Sequence, residues 1–90
     1  MDLECFIKIY GQVQGVNFRY HAQNTAVGLN LTGWVKNAVD GTVEILIQGP
    51  KPNLEQFISW AEHGPDSADV ENVEVDWRPA AQIFGNFGVL

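Results

Sequence analysis

LECFIKIYGQVQGVNFRYHAQNTAVGL, residues 3–29, is the stretch of this 90-residue sequence that decides its fold. From Leu3 to Ile9 apolar residues occupy alternate positions, which is the two-residue period of a strand with one well-buried face. Apolar residues then recur at helical spacing at Phe18, Ala22, Ala26 and Leu29. Asn17 precedes this run as a suitable N-cap, and Asn30 follows it where a left-handed residue would end the helix. The stretch predicts a strand, a glycine loop and a helix in that order.

The remaining sequence predicts a hairpin, a second helix and two further strands. Residues 31–37 and 42–48 are strand-like, and the Asp-Gly pair in Ala38-Val39-Asp40-Gly41 favours a tight turn between them. Pro52 suits the start of a helix that ends at Gly64-Pro65. A fourth strand is predicted over residues 70–77, and a short closing strand over 87–90 follows a turn-rich connection.

The order strand, helix, strand, strand, helix, strand indicates an α+β fold of one particular kind. It is typical of the ferredoxin-like split βαβ sandwich, in which two helices cover one face of an antiparallel sheet. If the first two strands are parallel and the third lies between them, their carboxyl ends emerge along one edge of the sheet. The glycine loop and Asn37 are then expected to meet around a common cavity.

Length and composition predict a single globular domain over residues 1–90. The chain has 46% hydrophobic and 18% charged residues, which is globular composition, and 90 residues leave room for one core. No apolar run is long enough to span a membrane, so no membrane association is expected. Cys5 is the only cysteine, which excludes an internal disulfide and the paired cysteines of zinc or redox sites. We expect a buried thiol and a monomer in a reducing cytoplasm.

The net charge disfavours polyanionic partners. Five basic residues against eleven acidic ones give a net charge of -6, which repels nucleic acid and anionic membranes. A small anion can still bind where backbone amides and one or two cations form a compact site, because salt screens distant charges over about 10 Å. The expected partner is therefore a small molecule and not a nucleic acid, and no residue pattern in the sequence indicates a cofactor.

The loop that precedes the first helix has the features of an anion-binding site. Residues 12–18 include a glycine and lead into a helix N-terminus, where unpaired N–H groups and the positive end of the helix dipole favour a phosphate. Arg19 lies in the first helical turn, an unfavourable place for a cation unless an anion offsets the dipole. Its planar fork of donors suits phosphate oxygens. From position alone, a solvated arginine or an ion-pair partner of a nearby acid is an equally good interpretation.

Asn37 and the two histidines are less specific by themselves. An asparagine beside a hairpin usually serves turn chemistry, and taken alone Asn37 fits that interpretation better than catalysis. His21 lies two residues past Arg19 and so on another part of the helix surface, while His63 lies at a helix end. Both histidines are expected to be structural or solvated.

Two separated motifs favour a functional interpretation of Arg19 and Asn37 over the structural ones. The first is Gly11-Gln12-Val13-Gln14-Gly15-Val16-Asn17-Phe18-Arg19, and the second is Leu31-Thr32-Gly33-Trp34-Val35-Lys36-Asn37, followed by Asp40-Gly41. Together they resemble the acylphosphatase family, whose first motif consists of glycine, a basic residue, Val-Gln-Gly-Val, a variable residue and Phe-Arg. The resemblance extends over nearly the whole chain, and two motifs at matching spacing are far more specific than one glycine loop.

The resemblance implies a function and a set of site residues. Members of the family hydrolyse acyl phosphates to carboxylate and inorganic phosphate by direct attack of water, without a metal or a phosphoenzyme. The family's arginine binds the phosphate, which corresponds to Arg19, and its asparagine orients the attacking water, which corresponds to Asn37. The loop amides that share the phosphate correspond to the backbone of Gln14, Gly15, Val16, Asn17 and Phe18. A small acyl phosphate is then the expected partner.

Three positions depart from the family's pattern, and Asn30, in place of the family's glycine, is the mildest of these changes. Gln12 stands where the family usually has a basic residue, which implies weaker binding of the substrate. Asn17 occupies the variable position, where glycine or an aromatic residue is common. If its side chain bonds to the amides that the phosphate needs, it competes with the substrate and lowers the rate.

Three other functions fit parts of the same pattern. A non-catalytic module of this fold would bind a small anion, and phosphate binding without acyl phosphate hydrolysis would identify it. A nucleic-acid binder of ferredoxin-like topology is disfavoured by the acidic pI and the lack of a basic, aromatic sheet motif. The third keeps the phosphate chemistry but uses carbamoyl phosphate, since acylphosphatase-like domains also occur in hydrogenase-maturation enzymes.

Overall fold

Two helices pack on one face of a five-stranded sheet in the computed structural model, which describes residues 2–90. The elements are β1 (Leu3–Gln12), α1 (Phe18–Gly28), β2 (Thr32–Asn37), β3 (Val43–Gly49), α2 (Lys51–His63), β4 (Asp69–Pro79) and β5 (Phe87–Val89). Met1, the first residue of the predicted domain, lies outside the described residues. The predicted order of elements and the ferredoxin-like α+β fold are confirmed.

The sheet has the strand order β4-β1-β3-β2-β5. Because β3 is antiparallel to both β1 and β2, these two strands run in the same direction with β3 between them, as predicted. β4 is also antiparallel to β1, but β5 pairs with β2 in parallel, from Gly33–Phe87 to Val35–Val89. The sheet is therefore mixed, whereas the sequence analysis predicts an antiparallel one. The chain reverses direction between β4 at one edge and β5 at the other, which makes β5 run the same way as β2.

The core lies between the sheet and the helices. Alternate residues of the central strands supply its sheet side, and apolar residues of both helices cover them. Its fully buried members include Cys5, Ile7, Ile9, Val35, Val43, Ile45, Ile47, Phe18, Ala22, Ala26, Leu54, Phe57 and Ala61. Burying one Ile, Leu or Phe side chain contributes about 1.5–3 kcal/mol. Cys5 is fully buried, so the predicted buried thiol is confirmed, and burial, with the nearby charges of Glu4 and Asp76, raises the pKa of this thiol to about 12.

The ends of α1 are formed by two asparagines with left-handed backbone. Asn30 has φ 58° and follows the helix as predicted. Asn17 occupies the predicted N-cap position with φ 63° and ψ 21°, but its side chain makes no capping hydrogen bond. Capping side chains normally extend from a residue in the β region, and the left-handed backbone of Asn17 does not meet that condition. The position is predicted correctly and the capping bond is not formed.

A β-bulge at the end of β1 directs the chain into the loop before α1. The pairing of β1 with β4 shifts register between Tyr10 and Gly11. Gly11 has φ 128°, and a side chain there would collide with the backbone of Asp69. Only glycine allows this close approach, and the bend that it permits places the following loop at the carboxyl ends of β1 and β2.

Candidate active site

A cavity of about 130 Å³ opens where the loop after β1, the N-terminus of α1 and the end of β2 meet. We call residues 13–17 the cradle loop. The cavity is lined by Val13, Gly15, Asn17, Phe18, Arg19, Tyr20 and Asn37. Arg19 and Asn37, which come from separate motifs, thus lie on one cavity. The parallel direction of β1 and β2 predicts this proximity of the glycine loop and Asn37.

The backbone of the cradle loop is suited to bind an anion. Gly15 has φ 76° and Asn17 has φ 63°, whereas Val16 between them has a negative φ. Residues that alternate in the sign of φ can turn successive N–H groups toward one side, where these groups share an anion. Gly15 has open space around its Cα, so it is the left-handed backbone that favours glycine there. The first amides of α1 lack helical partners and add to the same donor set.

A hydroxyl group from the loop before β4 fixes the orientation of one cradle peptide. Ser67 Oγ donates a hydrogen bond of 2.7 Å to the carbonyl oxygen of Val16. In a trans peptide the carbonyl and the following N–H point in opposite directions, so the N–H of Asn17 faces away from Ser67. This bond therefore selects one direction for a cradle amide.

Arg19 lies in the first turn of α1, which contains no acidic residue. Its Nη1 donates a hydrogen bond of 2.6 Å to the carbonyl oxygen of Leu90, whose own N–H donates to Val35 at 2.8 Å. The ion pairs of the described residues involve Lys8, Lys36 and Arg78 but not Arg19. The guanidinium thus uses one of its five N–H donors on Leu90, and four remain for an anion.

Asn37 is the exposed last residue of β2, and the hairpin turn does not use its side chain. The turn is closed by backbone bonds from Ala38 N–H to Thr42 and from Gly41 N–H to Ala38. No side-chain hydrogen bond of Asn37 occurs among the described residues. The turn-chemistry interpretation of Asn37 therefore finds no support, and its amide group is open to the cavity.

Asp40 performs the turn chemistry instead. Its Oδ1 accepts hydrogen bonds from the Thr42 hydroxyl at 2.6 Å and the Thr42 N–H at 3.1 Å. Its Oδ2 pairs with Lys8 Nζ at 2.9 Å. The Thr42 hydroxyl first, then Lys8 and the Thr42 amide, hold the pKa of the Asp40 carboxyl well below its usual range. This network ties the turn that follows Asn37 to β1.

The remaining expected residues lie beside the cavity. Gln14 and Val16, which the resemblance includes in the cradle, are not among its lining residues, and neither is the exposed Gln12. The Gln14 side chain donates two hydrogen bonds to the hairpin. Val13 and Tyr20 also line the cavity and were not predicted to do so, although the position of Val13 in the glycine loop and of Tyr20 beside Arg19 was a usable signal.

Two other features are absent from the part of the chain that the structure describes. Within residues 2–90 there is no group of three or more His, Cys, Asp or Glu side chains placed to hold a metal ion. No helix formed by these residues has the length and apolarity needed to cross a membrane. The histidines are exposed, with His63 at the end of α2 and His21 on α1.

Known proteins of one family match nearly the whole chain. The acylphosphatase family model matches residues 5–89. An acylphosphatase from Burkholderia thailandensis is 40% identical over 82 residues, which cover 91% of this chain and 84% of that protein. One from Thermococcus kodakarensis is 48% identical over 79 residues, with 88% and 87% coverage. The crystal structure of acylphosphatase from Bacillus subtilis has a TM-score of 0.95, 36% identity and 98% coverage of both chains. This chain belongs to the acylphosphatase family, enzymes that hydrolyse acyl phosphates.

Proposed function

We propose that this chain hydrolyses acyl phosphates by direct, metal-independent attack of water, with Arg19 holding the phosphoryl group and Asn37 orienting the water. The observation that carries the proposal is that both side chains line one cavity together with the cradle loop. The backbone amides of Gln14 to Phe18 complete the proposed phosphate site. The free donors of Arg19 and the alternating backbone of the cradle support these roles.

The size of the cavity supports a site that binds the phosphoryl group and leaves the acyl group outside. A cavity of about 130 Å³ has room for a phosphoryl group with an attacking water, and its small size favours an acyl group that lies outside it. The acyl group then extends past the mouth, where the exposed ring of Tyr20 is the neighbouring apolar surface. Such a site accepts acyl phosphates of varied structure.

The reaction needs little more than positioning and charge stabilisation. Water oxygen attacks phosphorus while the bond from phosphorus to the acyl oxygen breaks, and the carboxylate leaves with the electron pair. The conjugate acid of a carboxylate has a pKa of about 4, so this group departs without a strong general acid. The proton of the attacking water passes to the phosphate product or to solvent.

The donors at the cavity match the charge that develops in such a reaction. Phosphoryl transfer passes through a loose transition state whose charge is spread over three equatorial oxygens. The Arg19 guanidinium and the cradle amides supply fixed donors for these oxygens. The Asn37 amide oxygen can accept a hydrogen bond from the attacking water and so direct its lone pair at phosphorus.

The proposal also covers the organisation of the protein. We take residues 1–90 as one acylphosphatase-like domain that acts as a monomer in a reducing cytoplasm, without nucleic acid or membrane partners. The family match over residues 5–89 supports the single domain. The pairing of Lys8 with Asp40 and of Lys36 with Glu44 supports the absence of a nucleic-acid surface, because it neutralises basic groups on the sheet face opposite the helices.

The test compares hydrolysis of an aromatic acyl phosphate by the wild type, Arg19→Ala and Asn37→Ala in the presence of a metal chelator. Loss of Asn37 is expected to raise the barrier by roughly 3 kcal/mol, a fall of about 10²-fold in kcat. Arg19→Ala is expected to lose both turnover and inhibition by inorganic phosphate. Circular dichroism checks that the variants are folded. A folded wild type that binds phosphate without turnover would identify a non-catalytic anion-binding module instead.

A further inference from the structure

The side chain of Gln14 connects the cradle loop to the hairpin that carries Asn37. Its Nε2 donates a hydrogen bond of 2.7 Å to the carbonyl oxygen of Ala38 and one of 2.9 Å to that of Thr42. Both N–H donors of the amide are therefore used, and both bonds are partly buried. Ala38 directly follows Asn37, so the bridge reaches the hairpin one residue from the amide that orients water.

The hairpin turn is already closed by its own hydrogen bonds, without the Gln14 bridge. Ala38 N–H already donates to the Thr42 carbonyl at 2.9 Å, and Gly41 N–H to the Ala38 carbonyl at 3.2 Å. The Asp40 carboxylate also stabilises the turn, because it accepts hydrogen bonds from the N–H and the hydroxyl of Thr42. The Gln14 bonds use the remaining lone pairs of these carbonyls. They fix where the closed turn lies relative to the cradle loop.

We propose that Gln14 is a positioning residue for acyl phosphate hydrolysis, acting through Asn37. This inference rests on the proposed function of Arg19, Asn37 and the cradle. The cradle fixes the phosphorus and Asn37 fixes the water, so the geometry of attack depends on the link between these two parts. A displacement of about 1 Å in such a geometry can cost 10²-fold in rate. The Gln14 bridge is the side-chain link that the structure shows between them.

Removal of the bridge is expected to affect turnover and to spare phosphate binding. Arg19 is held by the Leu90 carbonyl, and the cradle backbone by the conformations of Gly15 and Asn17. None of these contacts uses the Gln14 side chain. We therefore expect kcat to fall about tenfold in Gln14→Met, with KM and the inhibition constant of phosphate changed by less than about twofold. Methionine keeps the length of the side chain and has no donor.

A double-mutant cycle separates action through Asn37 from a general effect on the fold. If Gln14 acts through Asn37, the tenfold loss appears in the wild-type background and shrinks to less than about twofold in the Asn37→Ala background. Asn53→Leu is the matched control, because Asn53 Nδ2 donates a similar bond of 2.8 Å to the Leu29 carbonyl at the other end of α1. This control is expected to leave kcat unchanged.

Gln14→Glu provides a second test, which remains available if Gln14→Met does not fold. An ionised glutamate faces the two carbonyl oxygens without a donor, whereas the protonated acid can donate to one of them. The deficit in kcat relative to the wild type is therefore expected to narrow as the pH falls toward the ordinary glutamate pKa of about 4.3. A defect that does not depend on a donor at this position would not recover in acid.

The outcomes distinguish this inference from the proposed function. An inactive wild type, or Asn37→Ala as active as the wild type, overturns the proposed function and the inference with it. An active wild type with impaired Asn37→Ala but normal Gln14→Met overturns the inference alone. A Gln14→Met loss that persists undiminished in the Asn37→Ala background, or that appears in phosphate affinity, shows that the bridge supports the cradle or the fold and contradicts positioning through Asn37.

Discussion

The two ends of the sheet use their polar groups in opposite ways. At the end where β1 begins and β3 ends, buried Gln48 donates to Glu4 Oε1 at 2.9 Å and to the Gln82 carbonyl, and accepts from Phe84 N–H at 3.3 Å. Glu4 Oε2 pairs with Arg78 Nε at 2.7 Å. We call Glu4, Gln48 and Arg78 the paired end. Its side chains are satisfied by other parts of the chain and have little capacity left for a ligand.

The cavity end leaves several of its polar groups unused. Four donors of Arg19, the amide of Asn37 and the first amides of α1 have no described partner. The side chains of Gln14 and Ser67 at this end do have partners. They donate to the backbone carbonyl oxygens of Ala38 and Val16, and these bonds position the parts of the chain that carry the unused groups. Unused donors around a cavity therefore indicate a binding site, whereas a polar cluster whose members bond to one another indicates a structural role. Substitutions at the two ends should therefore affect different properties.

The largest expected effect on stability lies at the paired end. Gln48→Met removes three hydrogen bonds and leaves buried Glu4 with one partner fewer, which is expected to lower the free energy of unfolding by about 2 kcal/mol. For a domain of this size the midpoint of thermal unfolding then falls by roughly 10 °C. Thermal denaturation followed by circular dichroism measures the loss, with exposed Gln56→Met as the control. Below the transition kcat and KM should match the wild type, and a fall in kcat there would break the contrast between the two ends.

A smaller effect, this time on substrate binding, is expected from Ser67→Ala at the cavity end. Without the hydroxyl the Val16 peptide loses the bond that directs the Asn17 N–H, at a cost of about 1 kcal/mol in phosphate binding. This corresponds to roughly a fivefold increase in KM and in the inhibition constant of inorganic phosphate. Steady-state kinetics with phosphate as inhibitor tests it, with exposed Ser59→Ala as the control. A change confined to kcat would assign Ser67 a different role from the one that its bond indicates.

Local patterns were sufficient to predict most of the fold. The alternation at Cys5, Ile7 and Ile9 gave the buried face of β1, and the Asp-Gly pair gave the hairpin between β2 and β3. The parallel pairing of β5 was not predicted, because the direction of a three-residue strand depends on how residues 80–86 cross the end of the sheet. Alternating burial and turn residues can be recognised within a few neighbouring residues. The path of residues 80–86 across the sheet depends on tertiary contacts instead.

The site was predictable only to the level of its motifs. The topology explains why Arg19 and Asn37 meet, and the resemblance supplied their roles, which remain a proposal. The bonds that position them join distant residues: Gln14 to Ala38 and Thr42, and Arg19 to Leu90. No pattern of spacing contains such a contact, since a glutamine bonds to whichever carbonyl the fold brings near it. Asn17 occupies the predicted N-cap position, but its left-handed backbone, which the sequence does not predict, leaves its side chain without a capping bond.

The turn after Asn37 should respond to pH through Asp40. Its pKa is lowered in the folded state, so the charged group stabilises the fold above the ordinary value of about 3.9, and this stabilisation is lost as the pH falls from there. Asp40→Asn should therefore unfold at a lower temperature than the wild type at neutral pH, and the gap should narrow in acid. Thermal unfolding at neutral and acid pH, with exposed Asp66→Asn as the control, checks this. A gap that is constant with pH would mean that the turn does not depend on the Asp40 charge.

Asn17→Gly should have the smallest effect, although it changes a residue that lines the cavity. Glycine adopts the left-handed backbone more readily than asparagine, but it also gains more freedom in the unfolded chain, so the two effects offset each other and stability should change by less than about 1 kcal/mol. The Asn17 side chain makes no capping bond with the cradle amides, so removing it frees no donor for the phosphate. Steady-state kinetics should then show kcat and KM close to the wild type. A marked rise in kcat would show that the side chain obstructs the substrate, and a marked fall would show that it contacts the phosphate, in which case a lining residue with no internal partner would join Arg19 and Asn37 at the cavity end.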